Sequence, residues 1–209
     1  MRILITAGGT REYIDPVRFI SNASSGRMGY ELARAALKAG HDVTLITTVD
    51  RKTTFINQAK IVKVERASEM FEAVKKHFIN IDCLIMAAAV ADYTPIKESK
   101  TKIKKNEKQL IIRLKPTTDI LKWAGKHKNV KGKKRIVVGF ALEDKDLLGN
   151  AEKKLIKKNL DMIVANTPSA IGNEKSTVYI KTTDIDWKTI ENKSKYTLAQ
   201  QIIKLLETI

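Results

Sequence analysis

The feature that most narrows the possible folds is an alternation. Strand-length apolar runs are separated by segments whose apolar residues recur every three or four positions. Arg2–Ala7 (RILITA) is mostly apolar and is followed by Gly8 and Gly9, the pattern of a parallel strand covered on both faces. Residues 26–39 follow as a helix, with Met28, Leu32, Ala35, Ala36 and Ala39 on one face and Gly40 as the stop. Residues 42–48 predict a second strand and residues 61–64 a short third. Ser68 predicts the N-cap of a helix over 69–78, with Met70, Val74 and Phe78 facing inward. Residues 83–90 (CLIMAAAV) predict a fourth strand. Such strand–helix alternation specifies an α/β fold: a Rossmann-like, doubly wound and mostly parallel sheet.

The alternation resumes later. Residues 135–139 and 162–165 predict strands, 147–158 a helix, 176–180 a strand with one wet face, and 196–209 a closing amphipathic helix. Between the halves, residues 93–120 differ. They begin polar and lysine-dense and then alternate over 109–114 (QLIIRL), which predicts a strand. A connection of this length inside an α/β domain predicts a flap or small hairpin extending from the sheet. The 209 residues fit one domain over 1–209.

Charge narrows the partners. With 39 Lys+Arg against 23 Asp+Glu the net charge is +16, which excludes an acidic interaction protein and favours anionic company. Aromatic residues make up only 6%, too few for base-stacking platforms, so nucleic acid is disfavoured. No apolar run reaches membrane-spanning length, and the first residues lack a signal-peptide pattern. The single cysteine, Cys83, allows no internal disulfide and fits a reducing cytoplasm.

In open α/β sheets ligands bind beyond the carboxyl ends of the strands, and each candidate motif falls there. Gly8 and Gly9 follow the first strand, either for close ligand approach or for a tight turn. Ser24, Ser25 and Gly26 open the first helix, where free N–H groups and the helix dipole favour an anion. The excursion before them carries Arg11, Asp15, Arg18 and Asn22. Ala88 and Ala89 remove bulk after the fourth strand, either for a ligand ring or for packing, and Asp92 can accept from sugar hydroxyls or a base amine. Lys102, in the run KIKK, suits a flap that closes over polyphosphate. Lys154 and Lys158 stand one helical turn apart. His41, His77 and His127 show no metal spacing, and Cys83 reads as core.

Taken in order, ITAGGTREYIDPVRFISNASSGRMG, AAAVADY, KIKK, a Pro-Thr-x-Asp-Ile helix start, GFALE and KKLIKKNLDMIVAN closely resemble the phosphopantothenoylcysteine synthetase family. The likeness is strong through residue 167 and looser beyond. It implies a ligase of coenzyme A biosynthesis. CTP activates the 4′-phosphopantothenate carboxylate as an acyl-cytidylate with loss of pyrophosphate, and the amine of L-cysteine then displaces CMP. It implies Mg²⁺ with the nucleotide, a homodimer, and a phosphopantothenoylcysteine decarboxylase that is often fused, the chain being either a free-standing form with a separate decarboxylase or an excised domain. Residue by residue, it implies a catalytic Lys102 in the first half-reaction and a catalytic Asn22 at the acyl-cytidylate. Arg18 is implied to hold an anionic substrate group. Asp92, Thr118, Asp119, Ile120, Leu121, Phe140, Lys154 and Lys158 are implied to bind nucleotide, beside the glycine, serine and alanine positions above. Arg27 and Thr118 depart from the family's more usual Lys and Pro.

Two other classes compete. A nicotinamide-dependent oxidoreductase would need its glycines directly between the first strand and helix and an acid ending the second strand, for which Asp50 is a faint match. A nucleic-acid binder would rest on charge alone.

Overall fold

The computed structural model describes residues 1–105, 109–130 and 132–209. In chain order the first elements are β1 (Arg2–Ala7), β2 (Arg11–Asp15), β3 (Arg18–Ser21), α1 (Arg27–Lys38), β4 (Asp42–Thr47), β5 (Lys60–Lys63), α2 (Ala67–Phe78) and β6 (Cys83–Met86). Next come β7 (Tyr93–Pro95), β8 (Leu114–Pro116), α3 (Ile120–His127), β9 (Asn129–Val130), β10 (Lys133–Lys134) and β11 (Ile136–Leu142). The last are α4 (Leu147–Lys157), β12 (Met162–Asn166), β13 (Lys175–Thr182), β14 (Lys188–Ser194) and α5 (Lys195–Leu206).

Eight strands form the central sheet in the order β14-β13-β12-β11-β6-β1-β4-β5. The pairs from β12 across to β5 are parallel, whereas β13 and β14 join antiparallel. From β1 the chain moves outward to β4 and β5, then returns to place β6 on the other side of β1. The strand order therefore reverses between β1 and β6, and the crevice this leaves at the carboxyl ends is where such sheets take ligands.

Alternation within each strand divides the core in two. Ile3 and Ile5 of β1, Cys83 and Ile85 of β6, and Met162 and Val164 of β12 face α1 and α5. Leu4, Leu84 and Ile163, on the opposite faces, meet α2, α3 and α4. These side chains are essentially without solvent contact, so each contributes about 1.5–3 kcal/mol through burial. Strands covered on both faces must be apolar throughout, which is why β6 reads CLIM. Cys83 lies within this core, and burial pushes its thiol well above the ordinary cysteine value, so it is no nucleophile.

Several expectations are corrected. The excursion after β1, for which no strand was expected, forms the hairpin β2–β3. Helix α2 starts ahead of Ser68, which lies inside it. Glu69 accepts from the Glu65 and Arg66 N–H groups and Glu12 from that of Ala67, so carboxylates rather than the serine serve its opening donors. The fourth strand ends at Met86: beyond it the N–H groups of Ala88, Ala89 and Ala91 go to Thr6, Gly8 and Thr10, and Gly9 and Ala89 form only an isolated bridge. In the flap the short antiparallel ladder joins β7 to β8 and covers Leu114–Pro116, where 109–114 was expected to form the strand. Leu110 and Ile111 are 54% and 80% exposed: their alternation has no covered face to serve. Residues 106–108 of the expected flap lie outside the described residues. Strand β14 was not foreseen, since KTIENKS buries only Ile190.

Candidate active site

Two loops meet at the carboxyl ends of β1 and β6 and are stitched by backbone groups. The Ala89 N–H donates to the Gly8 carbonyl at 2.8 Å, and the Thr10 N–H to the Ala89 carbonyl at 3.3 Å. The buried hydroxyls of Thr6 and Thr10 accept from the Ala88 and Ala91 N–H groups at 3.1 and 2.8 Å. Every polar backbone group left over by the end of β6 needs a partner, and these loops supply one another. The small residues are what let them approach. A Cβ at Gly9 would lie 2.5 Å from the Asn22 carbonyl oxygen. Gly8, at φ +90°, takes a conformation that costs other residues, and its Cβ would sit 2.1 Å from the Thr48 hydroxyl.

Asn22 closes this junction. Its side-chain amide donates to the carbonyls of Val90 and Ala89 at 3.1 and 3.4 Å, bridging the approach to α1 and the loop after β6. Gly26 then turns into α1 with φ +71°, and Ser24 and Ser25 bring their hydroxyls near the N–H groups of Gly26 and Arg27. The first turn of α1 carries no acidic residue, so nothing on the helix itself offsets its positive end.

Behind these loops lies a cavity of about 810 Å³, within the usual size of small-molecule sites. Five basic side chains line it, namely Arg27, Arg51, Lys154, Lys158 and Lys195, against the carboxylates of Asp92 and Asp119. Lys154 donates to the Phe140 carbonyl at 2.7 Å, and burial, reinforced by Lys158, lowers its pKa. Asp119 caps α3 by accepting from the Lys122 N–H at 2.9 Å and pairs with Lys158 at 3.0 Å. Burial raises the Asp119 carboxyl, but these two partners outweigh it and hold it below the ordinary range.

The cavity wall includes Asn22, Ser24, Ser25, Gly26, Ala88, Ala89, Asp92, Thr118, Asp119, Ile120, Leu121, Phe140, Lys154 and Lys158 among the expected residues. Gly8, Gly9, Arg18 and Lys102 are not part of it. The two glycines stand behind the wall as the stitch described above. Arg18 faces Asp15 on the β2–β3 hairpin. The Asp15 carboxylate, without solvent contact, accepts from the Val17, Arg18 and Ile103 N–H groups and from the Arg18 guanidinium. The guanidinium hydrogen bonds, ahead of the opposing effect of burial, hold Asp15 well below the usual carboxylate range. Arg18 also donates to the Ile103 carbonyl at 2.6 Å. Both backbone groups of Ile103 are thus gripped, and the residue beside it is Lys102.

Sequence reasoning did not place Arg51, Asn166, Ser176 or Lys195 at the site. Asn166 ends β12 where the apolar run stops, which is a usable signal. Lys195 looked like one more lysine in a basic chain. The three histidines are elsewhere: His41 contacts Glu207, and His127 stacks on Trp123.

Comparison with known proteins places this architecture. Residues 1–209 match the family described as DNA/pantothenate metabolism flavoprotein C-terminal domain. A protein named cysteine/cysteine sulfinic acid decarboxylase, from an unknown prokaryotic organism, is 44% identical over 214 residues, covering 100% of this chain and 58% of that protein. The coenzyme A biosynthesis bifunctional protein CoaBC of Borreliella burgdorferi is 40% identical over 209 residues, covering 98% of this chain and 52% of its own length. The crystal structure of the C-terminal domain of a CoaBC protein superposes with a TM-score of 0.80 at 37% identity, covering 99% of this chain and 94% of that one. The chain thus spans little more than half the length of these curated relatives. With the match running from the first residue to the last and the fold shared throughout, the chain belongs to the DNA/pantothenate metabolism flavoprotein C-terminal domain family.

Proposed function

We propose that the chain is a phosphopantothenate–cysteine ligase of coenzyme A biosynthesis that uses CTP. The observation that carries this is the cavity itself: five cations and an unneutralised helix N-terminus at the switch point of a Rossmann-like sheet. Relatives that share the family and are named for coenzyme A biosynthesis support it.

A carboxylate is a poor electrophile and must be activated. In the first half-reaction a carboxylate oxygen of 4′-phosphopantothenate attacks the α-phosphorus of CTP. A C–O–P bond forms, the Pα–O–Pβ bond breaks, and pyrophosphate leaves. In the second, the cysteine amine attacks the acyl carbon, the acyl C–O bond breaks with CMP as leaving group, and the amine proton passes to solvent. The nucleoside lies by Asp92, residues 118–121 and Phe140. Lys154 and Lys158 supply positive charge. Asn22 orients the acyl carbonyl, and its bridge to Ala89 and Val90 fixes where it can point. Lys102 faces the phosphates, positioned through Ile103 by Asp15 and Arg18. Arg18 holds the flap through Ile103, and its side chain, 42% exposed, also holds an anionic substrate group.

Among the described residues no three His, Cys, Asp or Glu side chains gather as a metal cage. Asp92, on the cavity wall, is the carboxylate that would hold a Mg²⁺ arriving on the nucleotide, with phosphates and water completing its shell. When bound, the ion would offset phosphate charge.

We also propose a homodimer. Val17 and Phe19 on the β2–β3 hairpin and Ile96 and Leu114 at the β7–β8 ladder are exposed apolar residues that a second copy would cover. No described helix is long and apolar enough to cross a membrane. The buried free thiol of Cys83 suits a reducing cytoplasm.

Pyrophosphate release with 4′-phosphopantothenate, Mg²⁺ and either CTP or ATP, with and without cysteine, tests the reading. Cysteine-stimulated turnover with CTP is expected. Turnover with ATP alone would change the nucleotide and keep the ligation. Silence with both would remove the ligase.

A further inference from the structure

Lys102 lies on a short arc of chain that is fastened to the body at both ends. After it, Ile103 is gripped by Asp15 and Arg18 of the β2–β3 hairpin. Before it, the fastening is at Glu98 and Ser99. The Ser99 N–H donates to the Ile14 carbonyl at 2.9 Å. Both oxygens of the Glu98 carboxylate meet the Arg66 guanidinium, at 3.0 and 2.8 Å. Between the two ends the Ser99 hydroxyl donates to the Thr101 carbonyl at 2.7 Å, which rounds the arc, and the Lys102 side chain stands exposed on it.

The Arg66 end of the pair is fixed independently of Glu98. Arg66 immediately precedes α2, a helix set in the core by Met70, Val74 and Phe78. Its guanidinium lies over the Tyr13 ring, 4.9 Å from the centroid, and the Tyr13 hydroxyl donates to Glu65 at 3.0 Å. A guanidinium stacked in this way has little freedom left to lose when a carboxylate arrives. The Arg66 hydrogen bond holds the Glu98 carboxyl below its ordinary range, so the pair is ionised at neutral pH.

Stability does not account for such a pair. The two side chains are 32% and 40% exposed, and ion pairs this open to solvent add little to folding. What a two-pronged arginine–carboxylate fork fixes is orientation. Here it ties the flap to α2, whereas Arg18 ties it to the hairpin, so the arc is held between two separate elements.

We propose that Arg66 and Glu98 are positioning residues of the flap: their ion pair fixes the arc that carries Lys102 and so sets where its ammonium stands when the phosphates arrive. The proposal rests on the role given to Lys102 above and adds two residues that stand in none of the motifs. A cation aimed at charge that develops on phosphate acts only from the right place, so a loosened arc slows the step without weakening ground-state binding.

The test uses Glu98→Gln, which keeps the shape and removes the charge, Arg66→Lys, which keeps the charge and removes the fork, and the double variant. Amide exchange at Ser99 should quicken about threefold to fivefold in each single variant, the size of one well-formed surface pair. The maximal rate of pyrophosphate release should fall by a similar factor, with KM for CTP and the melting temperature unchanged. The double variant should be no worse than either single one, because all three lose the same contact. Unchanged exchange at Ser99, faster exchange with an unchanged rate, or losses that add in the double variant would each overturn the positioning role and leave the ligase reading standing. If the unaltered chain releases no pyrophosphate, the ligase reading fails and exchange decides alone: quickening in both single variants keeps the pair as the fastening of the arc, and unchanged exchange removes it.

Discussion

The middle of the sheet and its carboxyl edge are built from the same strands a few residues apart, yet they obey different rules. Within β6, Cys83 to Met86 are buried and alternate between two apolar layers. One residue later the chain leaves the ladder, and its N–H groups turn to Gly8, Thr6 and Thr10. Along β12, Met162 to Ala165 are buried, and Asn166 faces the cavity. The interior is dry and its charges are satisfied on the spot, Lys128 by Asp161 and Arg135 by the backbone carbonyls of Phe78 and Ile79. The edge collects lysines and arginines beyond what its acids can match. Folding free energy is concentrated in the first region, whereas the second holds charge whose cost a bound anion would offset.

That contrast can be broken by experiment, most sharply at the flap. Lys102→Gln should lower pyrophosphate release at least a hundredfold while the melting temperature stays put, because an exposed side chain leaves packing untouched. Asn22→Asp should do the reverse in sequence of steps, retaining pyrophosphate release and losing product; normal product formation would remove the role given to Asn22.

The interior should respond in the opposite currency. Leu84→Ala should cost about 2–5 kcal/mol in a denaturant titration, with nucleotide affinity of the folded fraction unchanged. A large affinity change there would mean that core and edge are one mechanical unit.

Lys154→Met sharpens the boundary. Removing a buried cation should leave stability level or slightly raised, while nucleotide affinity falls about tenfold. The sign with pH follows from its lowered pKa. The ammonium form holds the phosphate, so affinity should decline as pH rises and begin to do so below the ordinary lysine range. Flat affinity through that range, followed by isothermal titration, would show that Lys154 serves the Phe140 carbonyl alone.

The smallest expected effect is at the latch. Arg18→Ala removes the donor to the Ile103 carbonyl and the main partner of Asp15, so amide exchange at Ile103 should quicken about tenfold. Pyrophosphate release should slow less than in Lys102→Gln. Unchanged exchange at Ile103 would remove the flap role and leave Arg18 with the substrate anion alone.

How much of this was legible beforehand depended on whether the signal was local. The apolar runs at residues 2–7 and 162–165 announced parallel strands because both faces are covered. Asn22, Asp92, Lys154 and Lys158 could be singled out because they stand in short, ordered motifs, and all four line one cavity. The misreadings share a cause. Residues 109–113 alternate but have no sheet to join, and Ser68 lost its cap to carboxylates, one of them Glu12, fifty-five residues from the Ala67 N–H it accepts. Gly8 and Gly9 could serve either a ligand or a tight turn, and the structure adds that a Cβ on them would meet Thr48 and Asn22.

The sequence by itself determined the layers: where the parallel strands of the central sheet lie, which faces of the helices turn inward, and that the strand order follows a doubly wound path. Periodicity is enough for this, because burial is decided residue by residue along one element. Only the tertiary structure decided that Lys195 is buried beside Arg27 across from Lys154, that Asp15 and Arg18 grip Ile103, and that Asn22 spans two loops. Each of these joins groups far apart in the chain, and a hydrogen bond or an ion pair is set by distance in space, which no local pattern encodes.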